Sequence, residues 1–498
     1  MRLTVDGNIK PYYMQMLAML WYPGEKFPEE VEPGDRKSCH VTVSDREDGV
    51  YSETVATDGE KTEKGEFFLR RELVPDDMIY KLAAGGSFLE AMSSLTGYMP
   101  PWGMLTGVRP ANRAENLRVR GYSAEEAVRF FTDIYKTTEM KARLAVKTAE
   151  VSRGLVTPER RRECSVYIAI PFCPTRCAYC SFVSYTSPKL LAMIPDYLSS
   201  LILDIDRTFS LVASLGFRVA TVYIGGGTPT VLDEKQLTLL LDAVTRNVSG
   251  LDEFTLEAGR PDTITEEKLR VAKEHGVTRI SVNTQTLDDG VLKAIGRAHT
   301  AEDFFKAYKI AERSGIRDIN VDLIAGLPGD TAESFASSVD RVISLSPTNI
   351  TVHTFSVKKS SELKTEGYDV FDREGNTALE SVDYSQRALT RAHYVPYYMY
   401  RQKNTVGNLE NVGYSVPGHE GLYNIFMMDE IHSIFSCGAS SVTKLMGIDK
   451  NGIPQIKRMF EHKYPYEYMR QHTDAEFGSE RLARENEIID FYRENRII

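Results

Sequence analysis

Six apolar, β-branched runs separated by amphipathic stretches restrict this chain more than any other feature of its sequence. The runs are VYIAIPF from Val166, ATVYIGGG from Ala220, EFTLEAG from Glu253, RISVNTQT from Arg279, DINVDLIAG from Asp318 and NITVHTFS from Asn349. Runs this apolar on both faces suit parallel strands that are covered on either side. The segments between them carry the helical period: in TAEDFFKAYKIAERSGI, Phe304, Ala307, Tyr308 and Ala311 share one face and Gly315 supplies the stop. Six strand-then-helix units predict an α/β fold built as a curved sheet or incomplete (β/α)6 barrel. In such folds chemistry gathers at the C-terminal strand ends, where this sequence places its unusual residues.

The flanking regions read differently. In residues 1–160, strand candidates CHVTVSD, VYSETVAT and GEFFLRREL precede PPWGMLTGVRP and the helical AEEAVRFFTDIY, which predicts a small α+β domain. The charged stretch TPERRRE, from Thr157 to Glu163, marks its boundary with a core over 161–360. Across 361–498 the β/α alternation stops, and YVPYYMYRQKNTVGNLENVGYSVPG predicts an accessory region over the barrel mouth that covers a substrate.

Composition narrows the function. A net charge of −10 argues against general binding to nucleic acid or an anionic membrane, so an acidic substrate needs specific Arg or Lys residues. Six cysteines are too few and too unevenly placed for a disulfide framework, which favours a reducing cytoplasm. No run of about 18 apolar residues is present to span a bilayer. The short run MQMLAMLWY has no small-residue cleavage site after it.

Three cysteines fall within CPTRCAYC, Cys173, Cys177 and Cys180, directly after the first strand. The bland reading, a helical stripe of small buried residues, is opposed by Pro171 and Pro174, which bias the segment toward a loop. A structural zinc site normally closes with four ligands, and Cys39, Cys164 and Cys437 stand alone in the sequence. Soft thiolates equally suit an iron–sulfur cluster, and a four-iron cube held by three thiolates keeps one iron open for a small ligand. A second motif, GGGTPT from Gly225 to Thr230, lacks both the Lys of a phosphate loop and the third Gly of a dinucleotide fingerprint. As a glycine turn it lets a backbone approach a ligand closely.

The C-x3-C-x2-C spacing with Tyr179 before the last cysteine resembles the radical S-adenosylmethionine (SAM) superfamily. YIAIPFC, GGGTPT, TLEAGRPDTI, RISVNTQTLDDGVLKAIGRAH and INVDLIAGLPG recur in the order found in the oxygen-independent coproporphyrinogen III oxidase family. The resemblance implies a 4Fe–4S cluster on Cys173, Cys177 and Cys180 that binds SAM at its open iron and cleaves it to methionine and a 5′-deoxyadenosyl radical. It implies that Gly225, Gly226, Gly227 and Thr228 hold the SAM amino group and that Glu257 lies near the methionine end. Gln285 and Asp322 would take the ribose hydroxyls, Arg297 the carboxylate, and Ile324 and Tyr179 the adenine, with Tyr167 beside the cluster. These residue types suit those groups: Gln and Asp pair with a vicinal diol, and Arg clamps a carboxylate.

The outer segments PPWGMLTGVRP, YRQKNTVGNLENVGYS and FSCGASSVTK resemble the HemZ-type coproporphyrinogen dehydrogenases within that family. This implies a tetrapyrrole substrate, a reducing electron donor such as flavodoxin or ferredoxin, and oxidative decarboxylation of two propionates of coproporphyrinogen III to vinyl groups. Arg260, Arg401 and Lys403 are the candidate carboxylate clamps. The sequence departs from the oxidase pattern at Phe182, where a further cysteine is expected, as in the haem-chaperone branch. It also has Ala169 in place of His and YNIFMM, from Tyr423, in place of an HNxxYW-like segment. A haem-binding chaperone that keeps the cluster and SAM pocket, or an enzyme acting on another tetrapyrrole, are the competing expectations.

Overall fold

A computed structural model describes residues 1–498 except 23, 29–35, 108, 181, 183, 357–376, 403, 404, 474 and 498. By its contacts the chain divides into two compact units. One takes in Met1–Ala149 and Tyr400–Leu409, and most of the rest forms the other.

The first unit is built on a four-stranded sheet of β1 (Arg2–Asp6), β2 (Ser38–Arg46), β3 (Gly49–Thr57) and β4 (Thr62–Arg70), in that order. β1 runs parallel to β2, and β2, β3 and β4 form an antiparallel meander. The three strand candidates of the sequence coincide with β2, β3 and β4. The helix Asp76–Thr96 packs on this sheet, and at the contact Ser87 Oγ meets Ser52 Oγ and Thr54 Oγ1, each at 2.8 Å. Gly65 makes that approach possible: a Cβ there would stand 2.2 Å from the Ser87 carbonyl oxygen. The expected helix is observed as Ala124–Asp133, opened by a reciprocal Ser123–Glu126 capping box.

The second unit contains the six expected strands: β5 (Glu163–Ile170), β6 (Arg218–Gly226), β7 (Glu253–Glu257), β8 (Arg279–Ser281), β9 (Asp318–Ala325) and β10 (Asn349–Thr354). All five neighbouring pairs are parallel. The helices Ile194–Ser214, Glu234–Thr245, Glu266–Glu274, Ala301–Arg313 and Ala332–Ser344 connect them. In Ala301–Arg313 the buried face includes Phe304, Ala307, Tyr308 and Ala311, and Thr300 caps it with Asp303. β8 is short: the chain leaves the ladder after Val282 and pairs with β9 again at Gln285, which bridges Leu323 and has a φ of 76°, unusual for a side-chain-bearing residue.

The C-terminal region extends this same sheet. β11 (Val395–Arg401) and β12 (Glu410–Ser415) continue it beyond β10, with β12 antiparallel to β10. On the other side β13 (Ser433–Cys437) runs parallel to β5, and β14 (Val442–Ile448) and β15 (Pro454–Phe460) follow antiparallel. An open parallel sheet leaves rows of unpaired backbone groups on both edges. The C-terminal strands cover those rows, and the outermost, β15, carries Pro454, Lys457 and Arg458, residues that discourage further pairing. The described strands of the region expected over the barrel mouth extend the sheet on both sides. Among the described residues no helix is long and apolar enough to cross a membrane.

Candidate functional site

The loop after β5 carries the three cysteines. It is pinched at its base by the Phe172–Tyr185 bridge, where Tyr185 N donates to Pro171 O at 2.9 Å and Cys173 N to Tyr185 O at 3.2 Å. Among the described residues between them none is helical, as the flanking prolines predict. Ala178 N donates to Ile295 O at 3.0 Å and Cys180 N to Cys177 O at 3.1 Å, so backbone bonds fix where the thiols point. All three are free thiols, and among the described residues no three His, Cys, Asp or Glu side chains converge on a single ion. Burial pushes the Cys173 thiol up to about 11 and raises Cys180 as well. Thr228 Oγ1 lies 3.3 Å from Cys173 Sγ.

The glycine loop is stitched to the same strand end: Gly227 N donates to Ile170 O and Thr228 N to Phe172 O, both at 2.8 Å. The absence of side chains here is required by the packing. A Cβ on Gly227 would meet Phe172 O at 2.5 Å, one on Gly225 would meet Glu257 Oε2 at 2.8 Å, and Gly226 has a φ of 105°.

Within the otherwise buried strands, one inward residue on each of β5, β6, β7, β9 and β10 stays partly open: Tyr167, Tyr223, Glu257, Asp322 and His353. They form one belt. The Tyr167 and Tyr223 rings stack with centroids 5.9 Å apart, and Tyr223 also stacks on Tyr423 at 4.6 Å. Tyr223 donates its hydroxyl to Glu257 Oε1 at 2.5 Å. Burial, opposed by this bond and reinforced by the charge of Asp322, pushes the Glu257 carboxyl up to about 7. Asp322 accepts from Asn283 Nδ2 at 2.8 Å and Asn320 Nδ2 at 2.7 Å, and His353 Nε2 lies 3.8 Å from it. Gln285 N donates to Asp322 O at 3.0 Å and Ile324 N to Gln285 O at 2.9 Å, which joins three of the expected residues through their backbones.

Arg297 is buried and donates to Tyr179 Oη at 2.9 Å and, more distantly, to Gly259 O at 3.4 Å. Its Nε is buried with no hydrogen-bond partner. His299, two residues on, has both ring nitrogens in the same condition. Burial, and then the nearby Arg297 charge, push its pKa down to about 4, so the ring is neutral.

The three expected carboxylate clamps meet different fates. Arg260 is buried against the cysteine loop with its guanidinium paired to Asp262. Arg401 belongs to the other unit, where it is 3% exposed. There it donates to the carbonyls of Asn408 and Leu105 and lies over the Trp102 ring. Both guanidiniums are buried, and the carbonyl and carboxylate acceptors around them compensate that burial. Lys403 lies outside the described residues. Sequence reasoning did not single out Tyr223, Tyr423, Asn283, His299, His353 or Asp262. For Tyr223 a signal existed, since it falls two residues before Gly225 along β6, where alternate residues share a face.

The residues fit the cofactors that the cysteine spacing implies. The loop presents three thiols beside the glycine turn, with Thr228 Oγ1 3.3 Å from Cys173 Sγ, and Arg297 keeps a buried donor without an acceptor. Comparison with known proteins agrees. Residues 167–342 match the radical SAM superfamily. The chain is 37% identical over 394 residues, 78% of each chain, to the oxygen-independent coproporphyrinogen-III oxidase-like protein HemZ of Bacillus subtilis. It is 36% identical over 212 residues, 42% of this chain and 54% of the relative, to the heme chaperone HemW of that organism. The solved coproporphyrinogen III oxidase of Escherichia coli superposes with a TM-score of 0.51 at 21% identity, covering 66% of this chain and 72% of that one, a likeness of fold.

Proposed function

Because the chain belongs to the radical SAM superfamily and, within it, to the oxygen-independent coproporphyrinogen-III oxidase-like family, we propose that it converts two propionates of coproporphyrinogen III to vinyl groups, giving protoporphyrinogen IX. Each propionate gives up one hydrogen atom to the 5′-deoxyadenosyl radical, one electron to an external one-electron acceptor, and carbon dioxide. The protein binds a 4Fe–4S cluster and SAM, as its superfamily does. When bound and reduced, they supply a 5′-deoxyadenosyl radical able to take a hydrogen atom from an unactivated carbon.

In this reading Cys173, Cys177 and Cys180 hold the iron, and the thiols must lose their protons to do so. Backbone groups of Gly225–Thr228 and the Glu257 carboxylate receive the SAM amino group, and Arg297 turns its unused Nε to the carboxylate. Gln285 and Asp322 orient the ribose, Ile324 and Tyr179 flank the adenine, and Tyr167 closes the side toward the cluster. The stacked Tyr167, Tyr223 and Tyr423 rings would form an aromatic wall of the site. A flavodoxin or ferredoxin would deliver the electron in the reducing cytoplasm.

The observation that carries the reading is the three-thiol loop facing a glycine cradle at adjoining strand ends. The test is anaerobic reconstitution with iron and sulfide, then dithionite, SAM and coproporphyrinogen III. The expected products are 5′-deoxyadenosine, carbon dioxide and a divinyl porphyrinogen; reconstituted protein that never yields 5′-deoxyadenosine would sink the enzyme reading. A second reading, haem transfer, is favoured by the likeness to HemW and by Phe182, which is 64% exposed where the oxidase pattern has a cysteine. Stoichiometric haem binding without porphyrinogen turnover would select it.

A further inference from the structure

Arg260 spans the gap between the loop after β7 and the cysteine loop. Its Nε and Nη2 donate to the two carboxylate oxygens of Asp262, each at 3.0 Å. Its Nη1 donates to Thr175 Oγ1 at 2.7 Å and Thr175 O at 3.2 Å, and lies 3.9 Å from Cys177 Sγ. The residue is 3% exposed, so this fork is fully desolvated and has no freedom to reach a substrate. Its own backbone is anchored: Thr263 Oγ1 is 2.8 Å from Arg260 O and 2.7 Å from Thr230 Oγ1, which ties the arrangement to the glycine loop.

We propose that Arg260 is a positioning residue for the iron–sulfur cluster, fixing the Thr175–Cys177 turn and donating to the Cys177 sulfur so as to raise the cluster's reduction potential. The inference rests on the cluster that the superfamily carries. A donor and a positive charge beside a ligating thiolate draw electron density from the sulfur and favour the reduced, more negative cluster. Asp262 does two things at once, aiming the guanidinium and offsetting part of its charge. The two residues therefore act on the potential with opposite signs, which a role confined to folding would not produce.

The test uses the full chain, reconstituted anaerobically, with iron and sulfide content, the electron paramagnetic resonance of the reduced cluster and its midpoint from potentiometric titration as readouts. Arg260→Gln is expected to move the midpoint to more negative potential and Asp262→Asn to more positive potential. Arg260→Lys, which keeps the charge and loses the fork, should fall between Arg260→Gln and wild type. A fully loaded Arg260→Gln cluster with an unmoved midpoint, or the two variants shifting the same way, overturns the proposal. If Arg260→Gln loads poorly, Asp262→Asn decides: an upward shift supports the proposal and no shift refutes it. A wild-type protein that takes up no cluster removes the cofactor premise and this inference together, whereas a normal wild-type cluster with unshifted variants removes the inference alone.

Discussion

The two ends of the same six strands are built on opposite principles. At the N-terminal end, the first residues of β5 to β10 are Glu163, Arg218, Glu253, Arg279, Asp318 and Asn349, an almost regular alternation of charge. Arg218 pairs with Glu163 at 2.6 Å, and Arg279 with Glu253 at 3.2 Å and Asp318 at 3.3 Å. What the ions leave over is taken up by backbone: Glu253 accepts from Leu422 N and Tyr423 N, and Arg279 donates to the carbonyls of His419 and Glu420. At the C-terminal end the accounts stay open, with Arg297 Nε and both His299 nitrogens unpaired, Gln285 at positive φ and Glu257 held near half-ionisation at neutral pH. Buried polar groups without partners are costly, and strained backbone persists where surroundings impose it. One end is complete as folded, and the other is completed by a ligand.

Substitutions at the two ends should therefore fail in different ways. The largest effect is expected from Cys177→Ala, which removes one of the three proposed iron ligands. Iron content and SAM cleavage should fall to background while the unfolding free energy of the cluster-free protein, read in urea, falls by only about 1 kcal/mol, as for the loss of one small buried group. Retention of a 4Fe–4S signal by this variant would break the assignment of the open end. At the closed end, Arg279→Met leaves Glu253 and Asp318 buried with a main cation gone. It should destabilise the cluster-free protein by about 3–5 kcal/mol, read by urea unfolding. If Arg279→Met kept its stability and lost SAM affinity instead, the contrast between the ends would be false.

Legibility in the sequence follows the same division. The six core strands were readable because a parallel sheet covered on both faces imposes continuous apolar runs. That Cys173, Cys177 and Cys180 follow β5 and Gly225–Thr228 close β6 was readable because each motif is local. The C-terminal strands were not, since runs such as ENVGYS and SIFSC become strands only when the edges of β10 and β5 are present to pair with them. Tyr423 and His419 reach the core strands across 200 and 101 residues of chain from Tyr223 and Asp318, separations given by the numbering, and no local pattern announces such partners. The burial of Arg260 and Arg401 was not legible for a related reason: sequence shows a cation but not the acceptors that desolvate it.

Glu257 sharpens the comparison by pH. With its carboxyl at about 7, it is mostly protonated at pH 6 and mostly ionised at pH 8. If the carboxylate is the form that receives the SAM amino group, affinity rises with pH through 7 and levels off above it. The ionised fraction changes about tenfold between pH 6 and pH 8, so anaerobic calorimetry should show SAM binding up to about tenfold tighter at the higher pH. Glu257→Gln should bind weakly and lose most of this dependence. A wild-type profile flat from pH 6 to 8 would mean that Glu257 does not meet SAM as an ionised group.

The smallest effect expected belongs to Arg401, outside the six-stranded unit. Its guanidinium lies 5.3 Å from the Trp102 ring centroid and donates to the Asn408 carbonyl at 2.9 and 3.2 Å. Arg401→Lys keeps the charge but gives up the planar fork, and a compact ammonium serves those acceptors less well. The expected cost is about 1 kcal/mol of stability, with SAM cleavage and the KM for coproporphyrinogen III unchanged. The stability and the KM separate the two roles open to this residue: if KM rises several-fold while the unfolding midpoint holds, Arg401 returns to the substrate. If the midpoint alone falls, its charge is spent on carbonyls within its own unit, as the charges at the closed strand ends are spent on one another.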